Sequence, residues 1–180
     1  MKISNLLKTV IFGLFGAFGV SCVSSESVPT AKNIDIDKYC GLWYEIARFD
    51  TRFQRGKYDS QAVYEKLDDG RIRIVNSAKN SDGKRSSVEG IAYAPNTGDY
   101  SKLRVSFFFP FYGDYYILEV SPDYSWSIVG GASKDFLWIL SRTPELPEDE
   151  LSKILSKARS FGYDTSKLLF NSNLRATCKK

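Results

Sequence analysis

The stretch Cys40–Gly56, CGLWYEIARFDTRFQRG, sets the fold. It begins as a strand would, with Leu42, Trp43, Tyr44 and Ile46 in a short apolar run. Glu45 and Arg48 interrupt that run, and a basic loop follows it. A Gly two residues ahead of a Trp, then a half-polar strand, then a loop carrying Arg52, Arg55 and Lys57 is more than a core needs. Val and Ile alone would supply a core strand.

The chain downstream repeats one theme. Segments rich in Tyr, Phe, Val and Ile are divided by turn clusters: DDG at 68–70, NSDG at 80–83, PNTGD at 95–99, YGD at 112–114, SPDYS at 121–125 and ASKD at 132–135. Asp-Gly and related turns are hairpin chemistry, because Gly accepts positive φ without a Cβ clash. This spacing predicts eight strands, over 42–50, 58–67, 71–79, 85–94, 102–109, 114–121, 125–131 and 136–142. Successive strands joined by short turns pair antiparallel. An open eight-stranded meander leaves two bare edges, and closure removes them. The expected fold is all-β: an eight-stranded antiparallel up-and-down barrel.

One helix is expected after it. Pro147 suits a first turn, and Glu148, Asp149 and Glu150 suit the positive end of the helix dipole. Leu151, Ile154, Leu155, Ala158 and Phe161 form one apolar stripe, which predicts packing outside the barrel, with Gly162 as the stop. Lys167–Asn171 reads as a short ninth strand.

Gly41-x-Trp43, GDYYIL (113–118) and LWILSR (137–142), in this order and at barrel spacing, resemble the lipocalin family over almost all of residues 33–171. The resemblance implies a calyx. Trp43 plugs its floor, Gly41 allows close backbone approach, and Arg142 stacks on the indole, so these three are structural. Strand alternation from an inward Trp43 puts Glu45, Ala47 and Phe49 inside, and Tyr44, Ile46 and Arg48 outside. An inward Glu45 needs a partner or water. Trp138 is the first candidate for the ligand wall, with a plain core Trp as its alternative; Tyr116, Phe107, Tyr64, Phe49, Ala47, Leu140 and Glu45 stand beside it. Residues 50–59 read as the loop lidding the barrel. The apolar FFFPFYG (107–113) flanks the mouth, rests on a membrane, joins a homodimer contact, or packs as a plain loop.

The N-terminus reads as an export signal over 1–21. Lys2 and Lys8 precede an uncharged run from Thr9 to Ser21 that is too short for a bilayer span. FGVSC (18–22) resembles a bacterial lipobox, which implies cleavage before Cys22, lipidation of its sulfur, and a tether over 22–33 ahead of a domain at 34–180. Val23 after Cys22 implies an outer-membrane anchor with the domain facing the periplasm. Loss of 1–21 takes the formal charge from +4 to +2, and no run of like charges reads as a nucleic-acid face.

The sequence has no histidine, which excludes Ser-His-Asp and Cys-His nucleophile systems and His-held metals. No cofactor is expected. Of its three cysteines, Cys40 and Cys178 lie near the two ends of the domain. In an oxidising compartment they read as a disulfide staple, with two free thiols as the alternative. By the family resemblance, the expected role is carriage or storage of a fatty acid or lysophospholipid, tail inside. The alternatives are a lipocalin-fold enzyme, or a filled barrel acting through protein contacts. Neither cysteine sits where a barrel nucleophile would, so catalysis is not expected.

Overall fold

The computed structural model describes residues 28–178, with side chains through residue 174. Eight strands form the wall: β1 (Gly41–Arg48), β2 (Tyr58–Lys66), β3 (Ile72–Lys79), β4 (Arg85–Tyr93), β5 (Lys102–Phe108), β6 (Phe111–Val120), β7 (Trp126–Gly130) and β8 (Leu137–Ser141). Each pairs antiparallel with the next, β8 pairs with β1, and β1 pairs with β2, so the sheet closes. A ninth strand, β9 (Leu169–Phe170), adds to β1 at Ala47 and Arg48. The largest boundary shift is at the fifth hairpin. Its tip is Phe109–Pro110 rather than the Tyr112–Asp114 turn, because Pro110 has no N–H for a ladder, and Phe108 pairs with Phe111 across it.

Among the described residues three α-helices accompany the barrel, where the sequence predicts one. α1 (Ile36–Tyr39) is capped by Asp35 and brings Ile36 and Tyr39 into the closed end. α2 (Glu148–Ser160) is the outer helix, burying Ile154 and Ala158. α3 (Asn171–Cys178) packs against β2 and β1, with Asn171 Oδ1 accepting from the Asp59 N–H at 2.8 Å.

The apolar residues divide into two cores. The inner one fills the closed half of the barrel with Trp43, Tyr64, Ile72, Ile74, Ala92, Leu103, Ile117, Val129 and Leu140 around Tyr39. The outer one lies under α2 and contains Ala47, Phe49, Leu118, Ile128, Leu137 and Ile139.

Two bulges let the same strands feed both cores. The β1–β8 register shifts between Glu45 and Ala47, and the β6–β7 register between Ile117 and Glu119. Each inserts one residue and reverses which side chains face in.

Residues 28–33, the end of the expected tether, lie against the barrel. Val28 is buried in the outer core, and the Ala31 N–H donates to the Ile117 carbonyl at 2.9 Å. Cys22 and the lipobox fall outside the described residues.

Candidate functional site

The closed end is sealed by α1 and the start of β1. Gly41 has φ +99°, and a Cβ there would stand 3.4 Å from Arg142 Nη1. The Arg142 guanidinium carbon lies 3.8 Å from the centre of the Trp43 ring. Arg142 also donates to the carbonyls of Lys38, Tyr39, Cys40, Leu42 and Tyr124, so one side chain ties α1, β1 and the β6–β7 turn together. Trp43 Nε1 donates to the Tyr39 carbonyl at 2.8 Å.

Above Trp43 sits a tyrosine cluster. The hydroxyls of Tyr39 and Tyr115 are 2.9 Å apart, as are those of Tyr64 and Tyr115, and Ser127 Oγ lies 3.3 Å from Tyr39. Burial pushes the Tyr39 phenol up to about 12 and raises Tyr64 and Tyr115 well above the ordinary phenol value. An unfolded tyrosine ionises near 10. A phenol whose folded pKa is raised stabilises the fold fully below pH ~10 and loses that contribution as pH climbs toward the folded value. Of eleven tyrosines, we expect these three to stay silent in a tyrosinate absorbance titration until base unfolds the barrel. A smooth titration of all eleven near pH ~10 in folded protein would contradict the sealed floor.

At mid-depth lies a buried ion pair. Arg48 Nη1 donates to Glu45 Oε1 at 2.6 Å, with Arg48 1% and Glu45 5% exposed. The lid loop reaches down to it. Gln54 Nε2 donates to Glu45 Oε2 at 2.7 Å, and Gln54 Oε1 accepts from Trp138 Nε1 at 3.0 Å. Arg48 Nη2 donates to the carbonyls of Gln54 and Lys57, which pins the loop from below. The other lid cations face outward: Arg55 pairs with Asp50, Lys57 reaches Asn80 and Ser86, and Arg52 is exposed.

Glu45, Tyr64, Phe107, Trp138 and Leu140 face the interior with Trp43. Phe107 lies across Gly90, where an added Cβ would come 2.6 Å from its ring. Trp138 stacks on Phe136 at 5.9 Å.

Three expected wall residues do not face in. Ala47 and Phe49 belong to the outer core under α2, because the bulge after Glu45 reverses alternation. The same bulge turns Arg48 inward. Tyr116 also points out, packing at the outer core under Lys102. Its neighbour Tyr115 takes the inward place, because Leu103 pairs with Tyr115 across β5–β6. Sequence reasoning missed Arg48, Gln54, Tyr39 and Tyr115. An unpaired inward Glu45 was the one available signal that a cation had to be close.

Cys40 is a free, half-buried thiol beside Arg142, and burial pushes its pKa up. The disulfide expected with Cys178 is not formed at Cys40, and the Cys178 side chain lies outside the described residues. Among the described residues no cluster of His, Cys, Asp and Glu could hold a metal.

Burial along the inner wall changes with height. Inward-facing Ala92 and Ile72 at the closed end are fully buried, while Val88, inward on the same strand as Ala92, is 40% exposed. A family model described as a lipocalin-like domain matches residues 34–173. The chain belongs to the lipocalin family. It is 40% identical over 159 residues to the outer membrane lipoprotein Blc of Escherichia coli K12, covering 86% of this chain and 90% of that protein. It is 39% identical over 152 residues to temperature-induced lipocalin-1 of Arabidopsis thaliana, covering 79% and 81%. It is 33% identical over 151 residues to mouse apolipoprotein D, covering 79% and 78%. Among solved structures, insecticyanin from the tobacco hornworm Manduca sexta aligns with a TM-score of 0.65 at 21% identity, covering 80% of this chain and 83% of that one. Lobster apocrustacyanin A1 aligns at 0.62 and 20% identity, covering 82% and 91%. These distant structures share the fold. A lipocalin barrel open at one end is a binding module for small molecules or lipids, and that coarse function holds for this chain.

Proposed function

We propose that the protein is an outer-membrane lipoprotein, anchored through acylated Cys22 after loss of residues 1–21, whose barrel faces the periplasm and carries or stores a single-chain lipid, a fatty acid or a lysophospholipid. The observation that carries this reading is the inner wall at Val88, Phe107 and Trp138, where Val88 is 40% exposed and the apolar surface continues into exposed Phe53, Phe108, Phe109 and Phe111 at the mouth. Each buried methylene gains about 0.8 kcal/mol, so a dozen offer near 10 kcal/mol. Ordering the tail and losing translational freedom takes back several kcal/mol. The remainder corresponds to a dissociation constant near micromolar, about −8 kcal/mol.

The enzyme alternative has less support. It needs an activated nucleophile, and Cys40 is a raised-pKa thiol at the sealed floor.

Titration with oleate and with lysophosphatidylethanolamine is the test. Binding should alter the fluorescence of Trp138, whose indole N–H is held by the lid residue Gln54. Trp138→Phe should keep most of the affinity, seen by calorimetry, and lose most of the signal. No saturable heat with either lipid, on protein shown by mass to be empty, would overturn the cargo reading. In cells, labelled palmitate should enter the wild type and not Cys22→Ser, and a wild type soluble in the periplasm would overturn the anchor.

A further inference from the structure

Inside the barrel three buried polar atoms have no protein hydrogen-bond partner: Arg48 Nε, Ser60 Oγ and Asn76 Oδ1. They lie on adjacent strands β1, β2 and β3. Arg48 is 1% exposed and Ser60 6%. Ser60 shares its face with Ala62 and Tyr64, which belong to the inner core. Asn76 alternates with the buried Ile72, Ile74 and Ala78 and pairs with Val88, the inward residue at the level where the barrel opens. Asn76 sits opposite Ala62, and Ser60 lies two residues before Ala62, in the stretch where the β2–β3 register shifts between Tyr58 and Gln61.

The chemistry of the three atoms is specific. Arg48 Nε–H only donates, Asn76 Oδ1 only accepts, and Ser60 does both. A matching group must itself offer an acceptor and a donor. It should also be uncharged. Glu45 already neutralises Arg48 at 2.6 Å, so a carboxylate brought here would be a buried charge without its own counter-ion. Hydroxyls of a glycerol unit fit, and so does an un-ionised carboxyl group.

The mouth has the opposite character. Phe53 and Phe109 are more than four-fifths exposed, and Phe108 and Phe111 stand beside Phe109 on the β5–β6 hairpin. Polarity along the axis is therefore inverted: hydrogen-bonding groups at depth, aromatic rings at the rim. We propose that a single-chain lipid enters polar end first, placing an uncharged hydroxyl or carboxyl group against Arg48 Nε, Ser60 and Asn76, with its tail leaving through the phenylalanine rim. This inference rests on the lipid-carrier reading and reverses the tail-inward orientation that the sequence implies.

Trp138 pairs directly with Arg48 across β1–β8, so it reports on this depth. Stearic acids carrying a nitroxide at carbon 5 or carbon 16 give the orientation, with the Trp138→Phe variant subtracting the other two tryptophans. At equal occupancy, the carbon-5 label should quench Trp138 more. Stronger quenching by the carbon-16 label would overturn the proposal. The second measurement is the affinity of Asn76→Leu for monoolein. This variant removes an acceptor that makes no protein bond, so the fold should persist, confirmed by its thermal transition. A polar-end-first site should lose about tenfold in affinity, the equivalent of one hydrogen bond. An unchanged or tighter constant would mean that Asn76 faces water or a tail, and would overturn it. If neither labelled acid nor monoolein binds saturably, the lipid-carrier reading falls and this inference with it; if binding is saturable and the order of quenching is reversed, only the orientation fails.

Discussion

Trp43→Ala should lower stability by about 3–5 kcal/mol, the range for deleting a large buried aromatic. The indole is fully buried, touches the Tyr39 ring at a centroid distance of 5.0 Å, and carries the Arg142 guanidinium on its face. Three losses combine: apolar burial, the Nε1–H bond to the Tyr39 carbonyl, and the cation–π contact, worth roughly 0.5–2 kcal/mol. The space left is walled by Tyr39, Tyr64 and the backbone of a closed sheet, and it has little freedom to collapse. Trp43→Phe separates the parts. It should recover most of the loss, leaving a deficit of about 1 kcal/mol for the missing N–H bond. Urea denaturation of the three proteins is the measurement, and an unchanged midpoint for Trp43→Ala would show that the floor does not depend on this plug.

Glu45→Ala should cost a similar 3–5 kcal/mol, for an electrostatic reason. It leaves the Arg48 guanidinium buried with one fewer anion, while Gln54 Nε2 loses its acceptor. The pair itself is not expected to be a large net source of stability, because both ions were taken out of water to form it. The double variant Glu45→Leu/Arg48→Met should therefore be far closer to wild type than either single change. Its lid should be looser, since Arg48 and Glu45 hold Gln54 and the Lys57 carbonyl. A double-mutant cycle with additive losses would contradict a coupled pair.

The barrel was legible because its two signals are local. Turn residues mark hairpins, and even spacing implies neighbours that close. The strand limits fell within about three residues, the worst at Pro110, where an absent N–H moved the tip. Facing was legible only as far as alternation runs unbroken. Trp43, Glu45, Trp138 and Leu140 lie before a bulge or opposite one, and their parity survives. Ala47, Phe49 and Arg48 lie beyond the extra residue in β1, and theirs does not. Nothing local announces that bulge, past which Ala47 and Phe49 join the core with Ile154 and Ala158 of α2. Tyr115 and Tyr116 are adjacent and chemically equal, so only the pairing of Leu103 decides between them. Gln54 was illegible for another reason. Its role depends on a loop folding back onto Glu45 and Trp138, which are 9 and 84 residues away.

The barrel is expected to hold one lipid. Native mass spectrometry of the protein, purified from membranes with its lipidated N-terminus and sprayed without organic solvent, tests it most directly. The expected result is a dominant species carrying one non-covalent adduct with the mass of a single-chain lipid, released on collisional activation. The Trp138→Phe protein should carry the same adduct. A dominant species of bare protein mass, unchanged after incubation with oleate, lysophosphatidylethanolamine or monoolein, would contradict the account and leave a filled barrel that acts through its surface.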